Sequence, residues 1–342
     1  MSVPQVRRPG SAAPQPLAAR VYARLALGGF HSGAELARSL HVSRSAIWKA
    51  TVSLRDLGVV LHAVRNRGYR LPAACGALDA AQIRAALDPQ LSGRIRRLEA
   101  LWSVPSTNAA LLARNDLPTG LADVMLAEYQ SSGRGRRGRP WLAPPGGAVC
   151  LSLSWSFAQL PRDMGALGLA IGVCALRALR EHTPCQVGLK WPNDLILSGR
   201  KLGGILIEMR AEAGGPTYVV IGLGLNVSLG TTLLGRIAAA GTTATDLRAA
   251  EVDPARRTAV IASLVEGMVR GVRDFEQAGL KPFLEEWRRA DTLRGRVVAV
   301  LGTEPATGGI ARGIDASGAL LIETTRGLKR IISGEVSVRA DE

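Results

Sequence analysis

Cysteine is scarce in this chain, and the few that are present are not grouped. No C-x-x-C motif and no cluster of cysteine with histidine occurs among Cys75, Cys150, Cys174 and Cys185. Disulfide-rich secreted modules and zinc modules both need closely spaced cysteines. We therefore predict reduced thiols in a cytoplasmic protein, and the spacing excludes a disulfide framework and a structural zinc site.

Long apolar stretches are also missing. No run approaches the roughly 20 residues that a membrane-spanning helix needs, so no membrane partner is expected. Residues 1–16 are rich in proline and lack the apolar core of a secretory signal, which predicts a disordered leader. The phosphate-binding loop G-x-x-x-x-G-K before Ser or Thr is absent, so the nucleotide fold that it marks is not supported.

Lysine is rare in an otherwise basic chain. The formal net charge is +15, yet the lysines are only Lys49, Lys190, Lys201, Lys281 and Lys329. A strongly basic protein is a candidate for binding nucleic acid. A general preference for arginine, as in a GC-rich genome, accounts for part of this charge without any function. The same preference makes each remaining lysine a candidate for a functional position.

Residues 17–72 have the order of elements of a winged helix-turn-helix. The predicted elements are helices at 17–27, 33–40 and about 43–57 and strands at 59–64 and 68–71. Ser32 and Glu35 form a capping box before the second helix, and Ser43 can cap the third. The strands flank a turn and make a basic hairpin. This segment carries nine basic and two acidic residues, a net charge of +7.

The start of the third helix carries hydrogen-bond donors, at the place where a recognition helix reads bases. The predicted DNA contacts, in a helix-turn-helix at about 33–52 and in the hairpin, are Ser43, Arg44, Ser45, Lys49, Arg65 and Arg67. An alternative stays open, in which a degenerate winged helix packs only against the rest of the chain or a protein partner. The donors and the two arginines of the hairpin favour DNA.

The rest of the chain divides into a linker at 73–95, a mixed α+β domain at 96–290 and a small β domain at 291–342. Predicted central elements are strands at 124–128, 150–156, 188–191, 205–209 and 218–223 and helices at 167–181 and 254–276. Short C-terminal strands are predicted at 296–301, 309–314, 319–324, 328–332 and 335–339. The fold class is therefore α/β multidomain, ending in a small β-barrel.

A glycine–arginine run lies directly after a predicted strand, within residues 128–141. Its glycines allow a ligand to approach the backbone, and its arginines offer bidentate charge to phosphate or carboxylate. Such a loop suits a reaction in which pyrophosphate leaves ATP. A solvated or RNA-binding basic run is the alternative. The position of the run inside a domain favours the anion-binding loop.

Two further segments carry candidate ligand-binding residues. Lys190 ends a strand before a proline turn and is a fixed point charge suited to phosphate or carboxylate. Asn193 and Asp194 could orient a nucleotide, bind a metal or build the turn, and in isolation turn-building is the better interpretation. The segment 222–226 is a second strand end that contains glycines.

These segments, in this order, resemble the biotin–protein ligases, and specifically the bifunctional ligase/biotin-operon repressors. The matching pieces are Ser106-Thr107-Asn108 and residues 128–141, 190–194, 199–208, 222–226, 312–315 and 318–321, with 30–33, 43–47 and 54–58 in the first region. The resemblance covers nearly everything from residue 17 to the end. It implies a central biotin/lipoate-ligase-type catalytic domain and a C-terminal SH3-like β-barrel.

The resemblance implies a two-step reaction. Biotin and Mg²⁺-bound ATP give biotinyl-5′-AMP and pyrophosphate, and a lysine of the biotin carboxyl carrier protein of acetyl-CoA carboxylase then attacks the adenylate. The nucleophile belongs to the partner, which agrees with the absence of a Ser-His-Asp or Cys-His constellation in this chain. The resemblance also implies operator DNA as a partner, biotinyl-5′-AMP as corepressor and a homodimer when the adenylate is bound.

Site residues follow from the resemblance by position, with Lys190 and Arg136 as the catalytic pair that stabilises charge. Biotin would contact Ser106, Thr107, Asn108, Gln130, Arg134, Gly135, Arg136, Trp141 and Lys190. ATP and the adenylate would contact Arg134, Arg136, Arg137, Arg139, Lys190, Asn193 and Asn226. The metal ligands are not assigned.

One segment departs from the pattern of the repressor-ligases. They carry a tryptophan downstream of the 222–226 strand that stacks on adenine, whereas residues 230–247 hold no aromatic residue here. The coupling of adenylate binding to dimerisation is therefore in question. Three alternatives stay open: a ligand-sensing repressor without catalysis, a ligase with a vestigial DNA-binding domain, and a lipoate or other acyl ligase. The retained Lys190 and loop arginines favour the enzyme, and the winged helix favours biotin.

Overall fold

The computed structural model describes residues 15–114, 116–211, 216–301, 307–332 and 337–340. Most of the leader expected at 1–16 and part of the strand expected at 335–339 lie outside these residues. The helices are α1 Leu17–Leu25, α2 Gly33–Leu40, α3 Arg44–Asp56, α4 Ala80–Ala85, α5 Pro89–Ser92, α6 Thr107–Leu112, α7 Leu167–Arg180, α8 Thr231–Ala239, α9 Arg257–Ala278 and α10 Leu284–Ala290.

The strands form three sheets. They are β1 His62–Val64, β2 Gly68–Arg70, β3 Ile95–Val104, β4 Ala122–Gln130, β5 Ala148–Phe157, β6 Val187–Lys190, β7 Asp194–Leu197, β8 Arg200–Ala211, β9 Thr217–Asn226, β10 Val297–Leu301, β11 Thr307–Ile314, β12 Leu320–Thr324, β13 Gly327–Ile331 and β14 Ser337–Ala340. None of the helices in the described residues is long and apolar enough to cross a membrane.

The N-terminal domain is a winged helix-turn-helix, as the sequence predicts. The Ser32 hydroxyl accepts from Glu35 N, and the Ser43 hydroxyl accepts from Ala46 N, so both caps form. Three helices enclose a small apolar core with Val21, Leu25, Leu36, Ile47 and Leu54 among its members. Strand β1, the first strand of the wing, is shorter than the strand predicted at 59–64. Val59 is buried in the apolar core and lies outside the strand.

The central domain is a seven-stranded sheet in the order β3-β4-β5-β9-β8-β7-β6. Among the strand pairs of this sheet in the described residues, only β3–β4 is parallel. Helices α7 and α9 pack against each other and share one continuous apolar core with the sheet, while α6 packs against β4, β5, β8 and β9. Five short antiparallel strands in the order β13-β12-β11-β10-β14 form the C-terminal domain.

The sequence gives no clear signal for several of these elements. Strand β3 lies at the sheet edge and is half-buried along most of its length, so its side chains do not alternate. The segment expected as a linker, 73–95, contains α4 and α5. Ile83, Leu87 and Leu91 of this segment belong to the central core. The expected strand at 205–209 is the middle of the longer β8.

Candidate active site

The two faces of the central sheet differ in chemistry, and β5 shows this most clearly. Its alternate residues Val149, Leu151, Leu153, Trp155 and Phe157 belong to the core shared with α7 and α9. The residues between them, from Cys150 to Ser156, are small and polar and face the opposite side. Because they are small, α6 can pack closely against that side.

The start of α6 is fixed to this polar face by a chain of hydrogen bonds. The backbone N–H and the hydroxyl of Thr107 both donate to Gln130 Oε1, at 2.8 and 3.1 Å. The Ser152 hydroxyl lies 2.7 Å from Thr107 Oγ1 and 2.6 Å from Asn108 Oδ1. Ser106 caps the helix by accepting from Ala109 N. The predicted biotin residues at 106–108 and Gln130 are therefore one cluster.

The cluster continues to a carboxylate and from there to the glycine–arginine loop. Asn108 Nδ2 donates to Glu208 Oε2 at 2.8 Å, and Arg134 Nη2 lies 3.5 Å from Glu208 Oε1. Neither Ser152 nor Glu208 was assigned a role from the sequence. The alternation of leucine with serine in β5 is the signal that could have identified Ser152.

Two glycines of β9 allow the side chains of Asn108 and Trp141 to approach the sheet. A Cβ on Gly222 would overlap the amide of Asn108, and one on Gly224 would lie 2.7 Å from the Trp141 indole. No side chain larger than hydrogen fits at either position without moving its neighbour. Trp141 thus lies flat over Gly224, and Cys150 is the strand partner of that glycine. Burial raises the pKa of the Cys150 thiol to about 11, so it is neutral at neutral pH.

Two backbone hydrogen bonds connect the two sides of the glycine–arginine loop. Trp141 N donates to Gly133 O at 2.9 Å, and Gly135 N donates to Arg139 O at 2.7 Å. At the tip, Arg137 has a left-handed backbone with φ 58°. Arg136 is half-buried whereas the side chains of Arg134, Arg137 and Arg139 are exposed.

The turn at residues 190–194 between β6 and β7, which we call the lysine turn, lies near Arg136 of the loop. Strands β6 and β7 form a hairpin in which Lys190 is the partner of Asp194. Asp194 Oδ1 accepts from Lys201 Nζ at 2.6 Å. Partial burial lowers the pKa of Arg136, and the neighbouring Asp194 carboxylate opposes that shift. Asp194 thus pairs with Lys201, lies near Arg136 and is the strand partner of Lys190, so three basic residues and one carboxylate occur in this part of the sheet and an anion there meets net positive charge.

Two predicted nucleotide residues have their side-chain amides engaged within the protein. Asn193 Nδ2 donates to Ile205 O at 2.6 Å, which links the turn between β6 and β7 to β8. Asn226 Nδ2 donates to Thr245 O at 2.9 Å and Lys201 O at 3.4 Å, which fixes the segment after α8 to the sheet. Their nucleotide contacts stay predictions.

A tryptophan of the lysine turn joins the central and C-terminal domains. Trp191 is 1% exposed, and its Nε1 donates to Gly318 O at 3.1 Å. The sequence places this tryptophan in the turn but does not indicate its partner. Because the turn is held to both domains, the position of Lys190 depends on both.

The predicted DNA contacts form an exposed basic surface on the N-terminal domain. The side chains at positions 43–45, Lys49, Arg65 and Arg67 are exposed, and Trp48 of the same helix is 58% exposed. Arg67 and Arg70 both stack on the Phe30 ring, 4.2 and 4.9 Å from its centroid. This stacking orients the two arginine side chains. Phe30 and Arg70 were not among the predicted contacts.

Comparison with known proteins assigns each domain to a described family. The biotin/lipoate A/B protein ligase family matches residues 102–226, an HTH domain matches residues 19–70, and the biotin protein ligase C-terminal domain matches residues 295–339. The same three domains are those found in the structure.

Relatives match over nearly the whole length. The chain is 38% identical to the bifunctional ligase/repressor BirA of Escherichia coli over 324 residues, which cover 94% of this chain and 97% of that protein. It is 32% identical to that of Bacillus subtilis over 90% of this chain and 94% of the relative. The structure of a biotin protein ligase from Aquifex aeolicus in complex with biotin and ATP is 28% identical, with a TM-score of 0.60, over 72% of this chain and all of that one. The chain belongs to the bifunctional ligase/repressors of the biotin/lipoate A/B protein ligase family.

Proposed function

We propose that this protein activates biotin with ATP and transfers it to a lysine of the biotin carboxyl carrier protein, and that its winged helix represses transcription in response to biotin. One observation carries the ligase half. The polar cluster around Thr107 and Gln130 is linked through Glu208 to the glycine–arginine loop, and Arg136 of that loop lies beside the lysine turn. A neutral head and an anionic tail can thus be held at once.

The buried cluster suits the ureido head of biotin. Ser106, Thr107 and Gln130 supply hydroxyl and amide groups, with Asn108 behind them, and a urea both donates and accepts hydrogen bonds. Trp141 supplies the flat apolar surface for the rings, next to Arg134 and Gly135 of the loop. Glu208 orients Asn108 and Arg134.

The basic end suits the carboxylate of biotin and the phosphates of ATP. In the first step a biotin carboxylate oxygen attacks the α-phosphorus, the bond to the β-phosphate oxygen breaks, and pyrophosphate leaves. Lys190 and Arg136 stabilise the negative charge that develops, and Arg137 and Arg139 add charge at the mouth of the site. Asn193 and Asn226 would border the nucleotide.

Magnesium is expected to enter bound to the phosphates of ATP. In the described part of the chain, no group of three or more His, Cys, Asp and Glu side chains could hold a metal ion.

The second step uses a nucleophile from the partner. The neutral amine of the carrier lysine attacks the acyl carbon of biotinyl-5′-AMP, the bond to the AMP oxygen breaks, and an amide forms as one proton is released. Lys190 stabilises the departing phosphate. Carrier protein and genomic DNA would both be met in the cytoplasm, where we place this protein.

Biotin-dependent exchange of pyrophosphate into ATP tests the first step. We expect exchange with biotin and none with lipoate or octanoate in its place. Exchange with lipoate instead of biotin would identify an acyl ligase of another specificity. Tight biotin binding without exchange would identify a sensor without catalysis.

The repressor half needs a separate experiment. We propose that the adenylate-bound protein forms a homodimer that places two winged helices on one operator. Binding to the promoter of the organism's own biotin genes, measured with and without biotin and ATP, tests this. Sequence-specific binding that tightens with both ligands supports it. No specific binding in either condition means a ligase with a vestigial DNA-binding domain.

A further inference from the structure

A buried ion pair with no part in the proposed chemistry lies at the base of the glycine–arginine loop. Arg257 Nη1, at the start of α9, donates to Glu128 Oε2 of β4 at 2.8 Å. Arg257 is 2% exposed and Glu128 is 3% exposed. Glu128 is two residues from Gln130, which belongs to the proposed biotin cluster.

The pair binds both ends of the segment that carries the loop. Glu128 precedes this segment, which spans residues 129–147. At its far end, Gly146 N donates to the same Glu128 Oε2 at 3.1 Å, and Arg257 Nη2 donates to Ala148 O at 3.0 Å. One guanidinium and one carboxylate therefore fix where the loop leaves the sheet and where it returns.

The N-terminal domain also contacts the base of the glycine–arginine loop. Tyr22 of α1 is 1% exposed, and its hydroxyl lies 3.2 Å from the Cys75 sulfur. The hydroxyl is so close to Gly146 that a Cβ there would overlap it. Leu78 N, on the segment that joins the two domains, donates to Glu128 Oε1 at 2.6 Å. Both the first helix and the connecting segment thus contact the base of the loop.

The energetics favour a positioning role over simple stabilisation. Burying two charges costs desolvation free energy that is about as large as the attraction between them. A pair of well-packed apolar residues would therefore stabilise the fold at these positions equally well. What the pair adds is fixed geometry, because a guanidinium binds two acceptors in a set arrangement. We propose that Glu128 and Arg257 are positioning residues for the glycine–arginine loop. We also propose that closure of the loop changes the position of the winged helix through the contact that Tyr22 makes beside this ion pair. The proposal rests on the proposed function, since it assumes that the loop closes on biotin and ATP.

Arg257→Lys tests the positioning role. A lysine keeps the charge beside Glu128 but cannot hold Glu128 and Ala148 in the same fork. We expect the KM for biotin to rise between about ten- and a hundredfold, the effect of a small misplacement of binding groups, with a smaller change in kcat. We also expect trypsin to cleave within residues 134–139 in the presence of biotin and ATP, conditions that protect the wild-type loop.

Arg96→Lys is the matched control. Arg96 makes two contacts with Asp123, a fully buried carboxylate at the other end of β4. The change should lower the melting temperature comparably but leave the KM and the loop protection as in the wild type. If Arg257→Lys also lowers only the melting temperature, the pair is merely structural and the proposal is wrong. Wild-type protein that neither exchanges pyrophosphate nor protects its loop would instead count against the proposed function.

Tyr22→Phe tests the contact with the N-terminal domain, because it removes only the hydroxyl. We expect ligase activity to stay at the wild-type level, while the effect of biotin and ATP on promoter affinity falls toward none. Tyr218→Phe removes another buried hydroxyl, one that donates to Leu111 O away from the junction, and should leave that effect intact. A wild-type response of promoter affinity in Tyr22→Phe would overturn this part of the proposal.

Discussion

The N-terminal and central domains hold their functional side chains in opposite ways. In the winged helix, Ser43 and Ser45 are exposed and bond to groups two or three residues away. In the ligase domain, Thr107 and Asn108 are buried and bond to groups 23 to 100 residues away. The proposed DNA-binding surface is formed by one helix and one hairpin, whereas the proposed biotin pocket needs residues from several strands of the sheet.

This difference predicts different costs of substitution. An exposed side chain with local bonds can be removed with little change in the free energy of unfolding. A buried side chain in a hydrogen-bonded network cannot, because its partners are left unsatisfied. Substitutions in the pocket should therefore affect both activity and stability, and those on the DNA face should affect binding alone.

The largest expected effect is that of Lys190→Ala, an exception to this pattern because Lys190 is only half-buried. Loss of one charge that stabilises the transition state should slow biotin-dependent pyrophosphate exchange by about 10²- to 10³-fold. The melting temperature should change little. Lys281→Ala, at an exposed lysine, is the control and should keep wild-type exchange. Near-normal exchange in Lys190→Ala would contradict the assigned role.

Gly222→Ala should impair both binding and folding, as expected for the pocket. The new methyl group displaces Asn108, and such overpacking lowers the free energy of unfolding by about 1–3 kcal/mol. Biotin affinity, measured by calorimetry, should fall along with it. Gly235→Ala is the control, because a Cβ on Gly235 points into open space in the described structure and alanine favours the helix. Unchanged biotin affinity in Gly222→Ala would remove Asn108 from the binding site.

Arg136→Ala should speed the loss of biotinyl-5′-AMP from the site by about tenfold, the value of one charge-assisted hydrogen bond. Stability should change less than in Gly222→Ala, since Arg136 is only half-buried. The release of radiolabelled adenylate after a chase with unlabelled biotin measures this rate. Arg326→Ala, at an exposed arginine of the C-terminal domain, is the control. Equal release from both variants would show that Arg136 does not retain the adenylate.

Lys49→Ala should have the smallest effect on the molecule as a whole. Loss of one phosphate contact should weaken DNA binding at all sequences and reduce the slope of affinity against salt by about one. Ligase activity and the melting temperature should stay at wild-type values. A change in ligase activity would contradict the expectation that substitutions on the DNA face affect DNA binding alone.

The sequence predicts the features that local chemistry determines. The caps at Ser32 and Ser43, the helices of the winged domain and the glycine–arginine loop all follow from neighbouring residues. Strand β3 and the role of Ser152 do not, because each depends on partners distant in the sequence. Asn193 shows the same limit: its amide donates to Ile205 O, a contact that no local pattern specifies.

Incubation of the protein with ATP, radiolabelled biotin and an apo biotin carboxyl carrier domain tests the central claim most directly. The account predicts label on one lysine of the carrier, found by peptide mapping, only when ATP is present and strongly reduced with Lys190→Ala. A carrier that stays unlabelled with the wild-type protein, or label that does not depend on ATP, would contradict it.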